Sequence, residues 1–242
     1  MTRCRLARKG AHDMPIEPLA FPPPAPGDPW GDTPLSEIEV IALDTETGGL
    51  DAHRDPLLTV GLAGPDGLVL EASVLQEHYQ PDPRVLDVNR ITSQRAAWGL
   101  PWPLIEELLV DAMDGRVVCA HNAGFDLSFL VANAASLALP PAIDTAACCR
   151  FLWPGEKAGL AALAQRARID PGVAHGAGAD ACTCARGWLF LRAALIARKV
   201  TTWRQLCEAQ APIPPSFERR PWPEQVAAVA GRVTREGATV DA

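Results

Sequence analysis

The sequence predicts an α/β domain, and three observations carry that prediction. Short apolar runs lie close together early in the chain, at 37–44, 57–62 and 68–72, separated by turn residues. A fourth run, Val117-Val118-Cys119-Ala120, falls between two stretches of helical periodicity. From 124 to 198 the apolar spacing is almost entirely helical. Three strands, a helix, a strand and then helices is the order of an α/β domain.

The elements follow in chain order. Residues 1–35 carry eight prolines, from Pro15 to Pro34, a density that prevents regular helix or central strand, so they read as an extended arm. Glu37 to Asp44 alternates, turns apolar and ends at an acid, as a strand does when it emerges from a core. Asp55-Pro56 and Gly64-Pro65-Asp66-Gly67 bracket the second strand, and Leu68 to Ala72 returns as the third strand of a meander. Pro103 to Met113 is a helix with Leu104, Ile105, Leu108, Leu109 and Ala112 on its apolar side. Helices are predicted at 124–132, after the capping pair Asp144-Thr145, at 158–167 and at 178–198. The last presents Trp188, Leu189, Phe190, Leu191 and Leu195 to the core. The folded domain is therefore expected over 36–198. The tail, 199–242, carries five prolines from Pro212 to Pro223 and is expected outside the core.

Composition narrows the function classes. At 242 residues, 48% hydrophobic and 21% charged, the chain has the balance of a globular protein, which excludes wholesale disorder. No run of about 18 apolar residues escapes charge or proline, so no membrane span is predicted. The basic start, MTRCRLARKG, is followed by prolines rather than an apolar run and does not read as a secretory signal. Seven cysteines form no framework and read as reduced thiols in a cytoplasmic protein. A net charge of −7 argues against a protein coated by nucleic acid, but not against an enzyme whose acids hold cations.

Four acids stand where strands end or helices begin: Asp44, Glu46, Asp126 and Asp180. Asp44 and Glu46 are two apart, so one strand points both to one face. His175 precedes Asp180 in a glycine-rich connection. Taken singly, each has an ordinary reading: turn chemistry for Asp44-Thr45-Glu46, helix-dipole compensation for Asp126, a helix-entry hydrogen bond for His175 and Asp180. Together, converging carboxylates demand cations, and hard Mg²⁺ or Mn²⁺ ions suit oxygen ligands.

The segments LDTETGGL (43–50), AHNAGFD (120–126) and HGAGADA (175–181) closely resemble the three motifs of the DnaQ-like (DEDDh) 3′→5′ exonucleases. The resemblance spans about 36–195. It implies an RNase H-like fold, a five-stranded mixed sheet flanked by helices. It also implies that Asp44, Glu46, Asp126 and Asp180 hold two divalent ions, Mg²⁺ or Mn²⁺, while His175 is the general base. The implied reaction releases nucleoside 5′-monophosphates from the 3′ end of a single-stranded nucleic acid, DNA before RNA. Thr45 would meet the terminal 3′-OH and Leu50 the terminal base. Phe125 reads either as a substrate contact or as core, and Asn122 either as a substrate contact or as a helix cap. Gly48-Gly49 reads as a turn or as a close approach to the terminal nucleotide. Arg150, Lys157, Arg166 and Arg168 are candidates to guide the strand. Relatives often carry an acid before Val-Gly in the second strand, where this chain has Thr59.

Three readings stay open: a DNA exonuclease of proofreading or repair, a small-RNA-trimming exoribonuclease, and a noncatalytic binding module on the same fold. Trp203, Trp222 and the proline-rich tail are candidates to dock a DNA polymerase or sliding clamp, or else to cap the domain.

Overall fold

The computed structural model describes residues 29–133, 142–172 and 176–210. Its centre is a five-stranded mixed sheet in the order β3-β2-β1-β4-β5. The strands are β1 (Val40–Thr47), β2 (Leu57–Gly64), β3 (Gly67–Ser73), β4 (Val117–Ala120) and β5 (Ala142–Asp144). β1, β2 and β3 form the antiparallel meander, and β4 and β5 join β1 in parallel. The helices are α1 (Pro83–Asn89), α2 (Ser93–Ala96), α3 (Trp102–Met113), α4 (Ala123–Asn133), α5 (Thr145–Leu152), α6 (Leu160–Ala167), α7 (Ala177–Ala197) and α8 (Trp203–Gln210).

The alternation of β1 sorts the core into two layers. Val40 and Ala42 pack with Cys119, Ile143 and the α7 residues Trp188, Leu191 and Leu195. Ile41 and Leu43 pack on the other face with Leu57, Ile105, Leu109, Leu127 and Leu130, under α3 and α4. A third, smaller cluster joins Leu58 to Tyr79, Ile91 and Ala96 beneath α1 and α2.

Four expectations change. β1 begins later than Glu37 and runs on past Asp44 to Thr47, because β2 continues to pair with it there. Leu104 and Leu108 are half-exposed, since α3 rests on the sheet through the buried Ile105, Leu109 and Met113, with Trp102 and Ala112 partly buried beside them. Leu189 lies partly exposed on the outer side of α7, while Phe190 stacks on Trp153 with ring centroids 6.0 Å apart. The fourth change concerns the ends of the domain. Residues 199–210 do not lie outside the core: α8 buries Trp203, Leu206 and Cys207 in the α7 layer. The arm's last residues join them. Leu35 is fully buried, its backbone N–H donates to Thr201 O at 2.8 Å, and the Trp203 backbone N–H donates to Thr33 O at 3.0 Å. Each large apolar side chain buried this way contributes about 1.5–3 kcal/mol, which a proline count does not register. The rest of the expected arm and tail, 1–28 and 211–242, lies outside the described residues.

Among the described residues no helix is long and apolar enough to cross a membrane. The cysteines there are all free; Cys119 and Cys184 share an S–H···S hydrogen bond with sulfurs 3.8 Å apart and form no disulfide.

Candidate active site

The site forms where β1 outruns its parallel neighbour. Asp44 and Glu46 continue the Val40–Ala42 side of β1 and so face α7. What brings α7 to them is a glycine. Gly61 on β2 is the register partner of Asp44, and a Cβ placed on it would fall 2.2 Å from Ala177 O. Only a bare backbone lets the start of α7 rest directly on the sheet there. Asp180 follows one turn later. Oxygens of Asp44, Glu46 and Asp180 lie within 4.8 Å of one another.

Asp126 arrives from the opposite layer. β4 ends with Ala120 opposite Leu43, so the edge of β1 beyond that point has no strand beside it. Asp126 fills it: its Oδ1 accepts the Thr45 backbone N–H at 2.9 Å and the Thr45 hydroxyl at 2.8 Å. The turn that starts α4 is held by Asn122, at φ 73°, whose N–H donates to Asp144 Oδ1 at 3.1 Å. Asp144 also accepts from Ala146 N–H and Ala147 N–H, capping α5, and its own N–H donates to Gln210 Oε1 at 2.7 Å. His121 Nδ1 lies 2.9 Å from Thr145 Oγ1 and so belongs to this support rather than to the acids.

The carboxyls are strained electrostatically. Burial, then the charges of Asp126, Asp180 and Glu46, hold Asp44 well above the usual carboxylate range. Burial and Asp180 push Glu46 up to about 7, opposed by the guanidinium of Arg95. Burial pushes Asp126 up to about 7, against the lowering effect of the two Thr45 hydrogen bonds. A cluster of oxygen donors that resists ionisation by itself is one that a divalent cation would stabilise, and hard oxygens favour Mg²⁺ or Mn²⁺. The donor set therefore fits the ions that the resemblance implies.

Other expected site residues are placed unevenly. Leu50 stands 87% exposed, and Phe125 is half-buried against Phe129 with ring centroids 5.1 Å apart. The Thr45 hydroxyl is spent on Asp126. Gly48 and Gly49 have an internal reason to be glycine: added Cβ atoms would fall 2.6 Å from Pro56 Cδ and 2.1 Å from Asp55 Oδ2. Asn122 does occupy the entry to α4, but it acts through its backbone. Arg150 is drawn to the buried Asp144 at 3.7 Å. Arg166 bonds Glu156 at 2.8 Å and lies over Trp153, so it is held away from a guiding role. Thr59, standing where relatives often have an acid, buries its hydroxyl opposite Glu46. His175 lies outside the described residues.

Comparison with known proteins decides the family. No family model matches the chain. The DNA polymerase III subunit epsilon of Rickettsia felis is 30% identical over 175 residues, covering 65% of this chain and 75% of that protein. The chain belongs to the DnaQ-like 3′→5′ exonuclease family. Other relatives are far longer: the PolC-type DNA polymerase III of Streptococcus suis is 28% identical over 184 residues, and only 13% of it is spanned. Solved DnaQ-like exonucleases share the RNase H-like fold. Exonuclease X in complex with 5′ overhanging duplex DNA aligns with TM-score 0.53 at 22% identity, covering 71% of this chain and 99% of its own. The zinc-bound E. coli exonuclease I–single-stranded DNA complex aligns with TM-score 0.52 at 16% identity, covering 67% and 41%.

In this DnaQ-like exonuclease, three supporting residues escaped the sequence reading. Gly61 had a legible signal, a glycine inside an apolar strand, which marks close backbone approach. Thr45 as the holder of Asp126, and Gln210 as the acceptor behind Asp144, had none, because both partners are distant in the chain.

Proposed function

We propose that the chain hydrolyses the 3′-terminal phosphodiester of single-stranded DNA in the cytoplasm, releasing nucleoside 5′-monophosphates, with Asp44, Glu46, Asp126 and Asp180 holding two Mg²⁺ or Mn²⁺ ions. The observation that carries this is the convergence of Asp44, Glu46 and Asp180 oxygens within 4.8 Å. Asp126 stands behind them on Thr45. When bound, such ions neutralise charge and act as Lewis acids toward phosphoryl oxygens. The chain's own residues do the rest. Asp44 and Glu46 orient the ligand oxygens from one rigid strand, and Asp180 closes the set from the first turn of α7. The imidazole of His175, whose ordinary pKa lies near working pH, takes the proton of the attacking water. Leu50, exposed beyond β1, packs on the terminal base; Phe125 and Asn122, which lead into Asp126, are the further substrate contacts, and Thr45, which holds Asp126, stands next to the 3′-OH.

DNA is favoured over RNA because the relative covering most of its own length here is a DNA polymerase III subunit. That likeness also supports a role beside a polymerase or sliding clamp. With 199–210 folded into the core, the contact would fall to 211–242.

Digestion of 5′-labelled DNA and RNA oligonucleotides, with Mg²⁺, Mn²⁺ or EDTA, tests the reading. A metal-dependent ladder from the 3′ end is expected, lost in Glu46→Gln and reduced about 10²–10⁴-fold in His175→Ala. Faster RNA than DNA shortening would transfer the proposal to the exoribonuclease reading. Binding without shortening, in either metal, would leave only a noncatalytic module.

A further inference from the structure

The end of the sheet that carries the acids also carries an exposed tryptophan on a pinned backbone. Beyond β3, the stretch from Ala96 to Leu100 is laid along the end of the strand. Leu100 N–H donates to Ser73 O and Leu75 N–H to Leu100 O, both at 2.8 Å, and Gln76 N–H donates to Ala96 O at 2.9 Å. The fit is close, since a Cβ on Gly99 would fall 2.4 Å from the carbonyl carbon of Val74. On this stretch Trp98 is 83% exposed, and its backbone N–H donates to Arg95 O at 3.2 Å.

Arg95 links the stretch to the acids. Its guanidinium lies 3.8 Å from Glu71 Oε1. Glu71 pairs across the sheet with Gly61, and Gly61 with Asp44, so the three share one row. Glu71 also lies on the α7 side, because a Cβ on Gly178 would fall 2.5 Å from its Oε2. Arg95 is the cation whose field lowers Glu46.

We propose that Arg95 and Trp98 form the seat for the nucleotides just upstream of the 3′-terminal one, the guanidinium taking a backbone phosphate and the indole stacking on a base. This rests on the exonuclease reading of the acidic site. An exposed ion pair such as Arg95–Glu71 holds its partners weakly, so the guanidinium exchanges a carboxylate for a phosphate at little cost. Stacking accepts any base, because every base has a π face, which suits an enzyme that must degrade whatever sequence it meets. A rigid backbone also means little ordering is needed when the base arrives. The row from Glu46 through Thr59 and Ser73 to Leu100 crosses three strand spacings, roughly 14 Å, so the seat lies beside the acids and not among them.

The test uses the full chain and two substrates: a short oligothymidylate, and thymidine 5′-p-nitrophenyl phosphate, which has no upstream nucleotide. For Trp98→Ala, KM for the oligonucleotide is expected to rise about tenfold, with kcat changed much less. Trp98→Phe is expected to restore most of that loss. Arg95→Gln is expected to flatten the salt dependence of oligonucleotide KM by about one contact. Both side chains are at the surface, and circular dichroism verifies that the variants are folded. If Trp98→Ala shows the wild-type KM on the oligonucleotide while the wild type hydrolyses both substrates, the seat is refuted and the exonuclease reading stands. If the wild type hydrolyses neither substrate, both fall together.

Discussion

Replacing Asp126 by asparagine is expected to stabilise the metal-free protein at pH 8 while abolishing its activity. Asp126 is 3% exposed, and Thr45 gives both of its hydrogen bonds to a single oxygen, Oδ1, which an asparagine carbonyl can replace. Its carboxyl is raised from the ordinary 3.8 to about 7. A raised carboxyl adds nothing unfavourable below the unfolded value, where both states are protonated. From 3.8 upward the unfolded chain ionises while the folded carboxyl stays protonated, so the penalty grows with pH until the folded group also ionises at about 7. Above that point the penalty is on the order of 4 kcal/mol, at about 1.4 kcal/mol for each pH unit between the two values. Asparagine carries no charge and avoids it, though its NH₂ must find room, so a gain of about 2–4 kcal/mol is expected. For a chain of this size that is roughly 5–15 °C in Tm. Thermal melts of both proteins in EDTA at pH 4.5 and pH 8 decide the matter. The gap should open with pH, and added Mn²⁺ at pH 8 should close it by raising the wild type. A variant no more stable than wild type at pH 8, or a gap equally large at pH 4.5, would refute the electrostatic argument.

Other expectations follow from the same geometry. Mn²⁺ should raise the wild-type Tm more at pH 8 than at pH 5, because Glu46, raised to about 7, must lose its proton to ligate; Glu46→Gln and Asp180→Asn should remove most of that rise. Gly61→Ala should cost more than about 3 kcal/mol in urea unfolding and depress kcat, since the new methyl group would push Ala177, and Asp180 behind it, off the sheet. Trp203→Ala should cost about 3–5 kcal/mol by the same measurement yet leave kcat per folded molecule near wild type, as its side chain packs in the α7 layer away from the acids; unchanged stability would return 199–210 to the tail.

Much of this was legible in the chain. The spacing of Asp44 and Glu46 places both on one face because strand geometry has period two, and β1 does carry them that way. The start of α4 just before Asp126, the capping role of Asp144 and the long helix bearing Asp180 also follow from local preference. These features depend on neighbours within a few residues, so sequence expresses them directly.

What the sequence by itself determined is therefore the α/β class, the order of elements and the identities of the candidate acids. Tertiary structure decided the rest: that Gly61 exists to admit α7, that Thr45 spends its hydroxyl on Asp126, that Arg166 is held by Glu156, and that Trp203 and Leu35 complete the core. Each depends on partners far apart in the chain. Local propensity and periodicity carry no record of which distant surface will press against a given residue, and that pressing is what turns separate carboxylates into one site.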